Sequence, residues 1–234
     1  MSYAASGSVS ENAVRIPVMN AALNGDLAIP PSAAGLVLFA HGSGSSRKSP
    51  RNRAVAAALW TGGFATLLLD LLTEAEERVD NITAQHRFDI ELLAKRLTVA
   101  VDWARAEPRT AGLPIGLFGA STGAAAALVA AAARPNDVKA VVSRGGRPDL
   151  AAPVLDRVRA PTLLIVGGDD REVIVLNQRA LRAIGCTKHL AIVPGATHLF
   201  EEPGTLERVS ELARDWFTQY VAAEAPRLHG AAAR

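Results

Sequence analysis

Gly119-Ala120-Ser121-Thr122-Gly123 stands between an apolar strand-like run, Pro114 to Phe118, and a small-residue helical run, Ala124 to Ala133. A serine on so tight a strand-to-helix turn is strained in its backbone. Glycines two places to either side let neighbouring chain come close, which lifts the hydroxyl clear of the sheet. The five residues alone also fit simple close packing of small side chains. Two further groups give them chemistry. The apolar run Pro161 to Val166 ends in Gly167-Gly168-Asp169-Asp170, and His189 to Val193 ends in Pro194-Gly195-Ala196-Thr197-His198. A serine hydroxyl is a poor nucleophile until a histidine accepts its proton and a carboxylate holds the imidazole in the right tautomer. Serine, carboxylate and histidine, each following a strand and in that order, form a set suited to acyl transfer.

Acyl transfer also needs donors for a developing oxyanion, and backbone amides supply them without a proton to lose. The loop His41-Gly42-Ser43-Gly44 follows another strand, Gly35 to Ala40, so the expected pair of amides is Ser43 and Thr122. His41 reads as a hydrogen-bonding residue of that loop rather than a second base, and His86, His189 and His229 have no motif around them. Ser43 to Arg47 also resembles a phosphate loop. It lacks the third glycine of a dinucleotide fingerprint and the Gly-Lys-Ser/Thr of a P-loop, so no cofactor is expected. Arg144 and Arg147 follow the strand Val138 to Ser143. With Arg47 they either project guanidinium groups over the pocket toward a substrate carboxylate, or form structural ion pairs or a solvated loop. Thr73 to Phe88, with Glu74, Glu76, Glu77 and Asp80, reads either as a mobile cover or as a solvated acidic helical turn.

These groups need a scaffold that brings strand ends together. Val14 to Met19 and Ala22 to Ile29 read as an antiparallel pair turned at or near Asn24-Gly25-Asp26. Strands at Gly35–Ala40, Ala65–Leu71, Pro114–Phe118, Val138–Ser143, Pro161–Val166 and His189–Val193 then alternate with helices. The helices are expected at Arg51–Trp60, Phe88–Ala106, Ala124–Ala133, Asp149–Val158, Val173–Ile184 and Leu206–Tyr220. About eight strands result, the last six parallel, with the reactive groups at their carboxyl ends. At 234 residues with 49% hydrophobic and 5% aromatic residues, one domain packed with small aliphatics is expected. Its expected limits are residues 13–222, between a flexible segment 1–12 and a frayed tail 223–234.

A formal net charge of +2, with basic residues dispersed except for Arg47, Lys48, Arg51 and Arg53, argues against nucleic acid as a partner. Cys186 is the only cysteine, which excludes an internal disulfide and a cysteine-based structural metal site. Met1 to Asn12 has neither a basic start nor an apolar run, so no signal peptide, no membrane anchor and a cytoplasmic location are expected. No metal is expected, and self-association into a homo-oligomer is left open.

In order and spacing the three motifs resemble the α/β-hydrolase superfamily, and within it the compact dienelactone hydrolase-like family, over nearly the whole chain and without a large cap domain. In that family the acid is the last residue of a Gly-Gly-x-Asp turn, so the resemblance implies Asp170 rather than Asp169. Members that act on dienelactone carry cysteine at the elbow, whereas this chain has Ser121, so that substrate does not follow. The resemblance implies a serine hydrolase of carboxylesterase type that cleaves small esters, thioesters or lactones through Ser121, Asp170 and His198. An acyltransferase using the same three residues, or a non-catalytic ligand receptor on the same scaffold, are the competing expectations.

Overall fold

The computed structural model describes residues 9–224. One eight-stranded sheet runs through it in the order β1-β2-β4-β3-β5-β6-β7-β8. The strands are β1 (Ser10–Val18), β2 (Ala21–Ile29), β3 (Gly35–Ala40), β4 (Phe64–Leu69), β5 (Ile115–Ala120), β6 (Val138–Arg144), β7 (Thr162–Gly167) and β8 (Lys188–Val193). The last six are mutually parallel; β1 and β2 pair antiparallel, and β2 is antiparallel to β4. This is an α/β-hydrolase fold without a cap domain among the described residues.

The inner strands β3, β4, β5 and β7 are buried at every position, as expected where helices cover both faces. Side chains alternate between two cores: Leu36 and Leu38 join one, Val37 and Phe39 the other. On the second face α1 (Pro50–Thr61) packs against α6 (Thr205–Tyr220). The first carries α3 (Ile90–Ala106), α4 (Thr122–Ala133) and α5 (Arg171–Ala183). Ala124 to Ala127, Ala130 and Ala131 of α4 are all fully buried, because methyl side chains let the helix that follows Ser121 lie close against the sheet.

Two expectations need correction, and of the two readings of Thr73 to Phe88 the acidic helical turn is the one observed. The β1–β2 hairpin turns at Met19-Asn20, with Met19 at φ 47°, while Asn24, Gly25 and Asp26 lie inside β2 opposite Arg15, Val14 and Ala13. Gly25 is there because a Cβ would reach 3.0 Å from both Val14 and Leu67, so the glycine marks close packing rather than a turn. Asp149–Val158 is a 3-10 helix, Pro148–Arg157, interrupted by Pro153, which cannot donate an α-helical hydrogen bond. Thr73 to Phe88 is a folded element: Thr73 caps α2 (Glu74–Thr83) in a capping box with Glu76. The buried carboxylate of Asp80 then gathers the amides of His86 and Arg87 and the Arg87 guanidinium. Of the expected flexible segment 1–12, residues 10–12 belong to β1 and 1–8 lie outside the described residues. Of the expected tail, residues 223 and 224 belong to a short 3-10 turn, Ala222–Glu224, and residues 225–234, His229 included, lie outside the described residues.

Candidate active site

Ser121 joins β5 to α4 at φ 51° and ψ −121°, a conformation sparsely populated by any residue with a Cβ. Such strain costs on the order of 1–3 kcal/mol and persists only where surrounding structure imposes it. Here the restraint is visible. The Ser121 amide donates to the Arg144 carbonyl at 3.2 Å, and the Ser121 carbonyl accepts from the amides of Arg147 and Ala124, both at 3.1 Å. Both flanking glycines are obligatory for steric reasons. A Cβ on Gly119 would sit 2.4 Å from the Ala124 Cα, and one on Gly123 would sit 2.3 Å from the Ala40 carbonyl oxygen.

The loops after β7 and β8 are laced together. The amide of Gly168 donates to Val193 at 2.8 Å and that of Asp169 to Ala196 at 3.0 Å. Gly167 permits this, since a Cβ there would lie 2.3 Å from the Ala196 carbonyl oxygen. The result sets Asp170 Oδ2 2.6 Å from His198 Nδ1. A carboxylate accepts only, so Nδ1 carries the proton and Nε2 is the ring nitrogen left free. The Asp170 side chain is 14% exposed and that of His198 38%. Asp169 points to solvent. Glu202 fastens the histidine loop by accepting from the Thr197 hydroxyl at 2.6 Å and its amide at 3.1 Å.

Ser121 and His198 line one cleft of about 220 Å³, together with Ser43, Asn52 and Arg144. Gly42 lies against the serine: a Cβ on it would come within 3.0 Å of the Ser121 Cβ, so the Gly42-Ser43 backbone flanks the hydroxyl. Thr122 is buried behind Ser121 as the first residue of α4, where helix amides have no intrahelical acceptor. A second cavity of about 270 Å³ shares Gly42, Ser43, Ser45 and Ser49 with the first and is walled in part by Glu77, Asp80 and Arg87. The segment that reads as a cover thus forms a wall beside the site.

His41 is a loop-holding residue. The Leu71 amide donates to its Nε2 at 3.1 Å, so the proton is on Nδ1, which donates to the Gly42 carbonyl at 2.9 Å. Burial pushes its pKa below the ordinary 6.5 and keeps the ring neutral. The three arginines separate cleanly. Arg47 pairs with Asp70 and Asp26, and Arg147 with both carboxylate oxygens of Asp149 at 2.9 and 2.8 Å. Arg144 alone of the three faces the cleft. It is 7% exposed, and burial together with the charge of Arg51 pushes its pKa down to about 10.

Sequence reasoning missed Asn52, which lines the cleft, and Asn177 on α5. The Asn177 amide is fully buried and donates to the Gly146 carbonyl at 3.0 Å and to Val173 at 2.8 Å, tying α5 to the turn that restrains Ser121. A lone asparagine in an amphipathic helix carries no motif; only the three-dimensional contact reveals it.

A mostly parallel α/β sheet with a strained serine, a carboxylate-held histidine and a shared cleft at its carboxyl edge defines an α/β hydrolase by architecture. The chain belongs to the dienelactone hydrolase family, whose model matches residues 23–226. It is similar to a dienelactone hydrolase from Anabaena variabilis ATCC 29413, with 58% identity and a TM-score of 0.90 over 91% of this chain and 99% of that one. Est1E from Butyrivibrio proteoclasticus shares the fold at 18% identity, with a TM-score of 0.74 over 88% of this chain and 98% of that one. The chain is also 59% identical over 202 residues to "Putative phosphoribosyl transferase Rv0571c" of Mycobacterium tuberculosis (strain ATCC 25618 / H37Rv). That match covers 86% of this chain but 45% of the relative, so the chain spans about half the length of the curated relatives it matches. The family is one of hydrolases. No helix among the described residues is long and apolar enough to cross a membrane.

Proposed function

We propose that this chain is a serine hydrolase of carboxylesterase type, acting on small esters, thioesters or lactones through an acyl-enzyme on Ser121. One observation carries the reading: a strained serine opens into the same cleft as a histidine whose other ring nitrogen is held by Asp170.

In the first step the Ser121 oxygen bonds to the substrate carbonyl carbon while His198 Nε2 takes the hydroxyl proton. Asp170 fixes the tautomer and stabilises the imidazolium. The carbonyl oxygen becomes an oxyanion, received by the amides of Ser43 and Thr122. The carbon–leaving-group bond then breaks, and His198 returns its proton to the departing alkoxide or thiolate. Water repeats the sequence: His198 takes a proton from it, the new carbon–oxygen bond forms, and the acid leaves as Ser121 recovers its proton. With this reading we propose a small molecule as the partner and the cytoplasm as the location.

The transferase name is given to proteins of which this chain spans 45%, whereas the family model over residues 23–226 is that of hydrolases, which supports ester hydrolysis as the reading. Labelling with a fluorophosphonate, followed by a panel of 4-nitrophenyl esters, thioesters and lactones, tests the proposal. Stoichiometric labelling at Ser121 with turnover of at least one class supports it. An unlabelled, folded protein that binds esters intact would make it a receptor.

A further inference from the structure

Arg144 presents an electrostatic problem that the hydrolytic mechanism does not solve. Its guanidinium is buried at the end of β6 and, among the described residues, no carboxylate pairs with it. Its contacts are weak: Nη2 reaches Asn52 Oδ1 at 3.4 Å, and its carbon lies 5.9 Å from the centre of the Phe200 ring. The Nε atom is buried without any partner. A second guanidinium lies near enough to lower the pKa of the first: Arg51, on the first turn of α1, also lines the cleft. Arg51 gives Nη1 to Glu201 at 2.9 Å on the outer side, and its own Nε is likewise buried and unpartnered.

Two like charges with orphaned donors therefore share a wall of the cleft, and neither Asp nor Glu is among the residues lining it. An unpaired buried cation costs free energy unless an anion meets it. α1 adds to the field, since it begins beside the cleft and its positive end carries Ser49 and Asn52. The set exceeds what a carboxylate uses, because one carboxylate is satisfied in a plane by one guanidinium fork. Donors arriving from two elements, β6 and α1, suit a tetrahedral group with three oxygens and two charges.

We propose that Arg144 and Arg51 form an anion subsite beside Ser121 that takes a phosphoryl or phosphonyl dianion on the substrate. This rests on the hydrolase reading for its meaning, since the anion would belong to an ester cleaved at the neighbouring serine. Binding at the subsite does not depend on turnover.

The test has two arms. In the first, the Kd of inorganic phosphate is measured by calorimetry on S121A, with acetate as the carboxylate comparison. Phosphate binds at least about tenfold more tightly than acetate, and R144M and R51Q, each combined with S121A, weaken phosphate at least about tenfold. Thermal unfolding accompanies each variant: R144M without anion melts at or above the parent temperature, because an unpaired buried charge has been replaced by an apolar chain of similar length. That separates a lost subsite from a lost fold, and R51Q, on the more exposed residue, gives the answer independently. In the second arm, the 4-nitrophenyl esters of 3-phosphonopropanoate, succinate and butyrate are compared on the wild type. The phosphono ester has the highest kcat/KM, by at least about tenfold over butyrate, and R144M collapses that ratio toward one. Equal or absent binding of phosphate and acetate to S121A overturns the subsite. Preference for succinate over the phosphono ester overturns the phosphoryl assignment. Phosphate binding without turnover of any ester leaves the subsite standing and removes the hydrolase reading instead.

Discussion

Asp170 Oδ2 lies 2.6 Å from His198 Nδ1, closing a gap of 28 residues in sequence. The adjacent Asp169 faces solvent and contributes its amide to the loop rather than its carboxylate. D170N should therefore lower kcat for an ester substrate on the order of a hundredfold or more, since an amide leaves the imidazole tautomer unfixed. D169N should stay within roughly twofold. Comparable losses in the two variants would mean that the neighbours exchange roles.

S121A should reduce ester turnover on the order of a thousandfold or more while its circular dichroism and melting temperature match the parent. H198A should behave alike. The double variant should lose no more than either single one, because the groups act as a unit. Steady-state rates on one activated ester decide the matter; additive losses would show that the two side chains act separately.

The glycines of the elbow are steric requirements, and their replacement is a stability experiment. In G123A a methyl would meet the Ala40 and His41 carbonyl oxygens at 2.3 and 2.4 Å, and backbone of that kind does not yield as a side-chain tip does. A loss of at least about 2 kcal/mol in urea unfolding is expected, in the range of an overpacked core. G112A, where an added methyl meets nothing within 4 Å, is the matched control and should remain within about 0.5 kcal/mol.

Asn177 is predicted to be a positioning residue. N177L removes the donor to Gly146 and frees the turn whose Arg147 amide holds the Ser121 carbonyl. Stability should fall by about 1–3 kcal/mol, the cost of a buried carbonyl left unmatched. kcat should fall about tenfold with KM little changed, because geometry rather than binding is lost. A loss of stability with kcat intact would confine Asn177 to a structural role.

His41 predicts a pH dependence of stability. Its folded pKa lies below the ordinary 6.5, so as pH falls below that value the unfolded chain takes up a proton that the folded chain refuses. Stability contributed by the neutral ring is complete above about pH 6.5 and is progressively lost as acid is added. Urea midpoints between pH 7.5 and 5.0 should decline more steeply for the wild type than for H41Q. Parallel slopes would show that the ring titrates freely in the folded protein.

What the sequence made legible was whatever leaves a local mark. The runs of β3, β4, β5 and β7 are buried throughout because helices cover both faces, and the Gly-x-Ser-x-Gly and Gly-Gly-x-Asp turns are dictated by close backbone approaches that only glycine permits. Asn24-Gly25-Asp26 misled because glycine beside asparagine marks a turn as readily as a packed strand, and the decisive neighbour, Leu67, lies on β4. The four-residue basic cluster was visible, yet its partition was not. Asp26 collects Arg47, Lys48 and Arg53, while Arg51 turns toward Glu201 and the cleft. Asn52 and Asn177 gain their meaning only from partners 92 and 31 residues away.

Residue 144 serves the serine with its carbonyl oxygen and the cleft with its side chain. The two duties are chemically separate, because any amino acid offers the same carbonyl. Exchange of this one side chain would rewrite which substrates are admitted while the reactive oxygen stays where it is, so selectivity in this scaffold has a place to evolve that leaves its chemistry untouched.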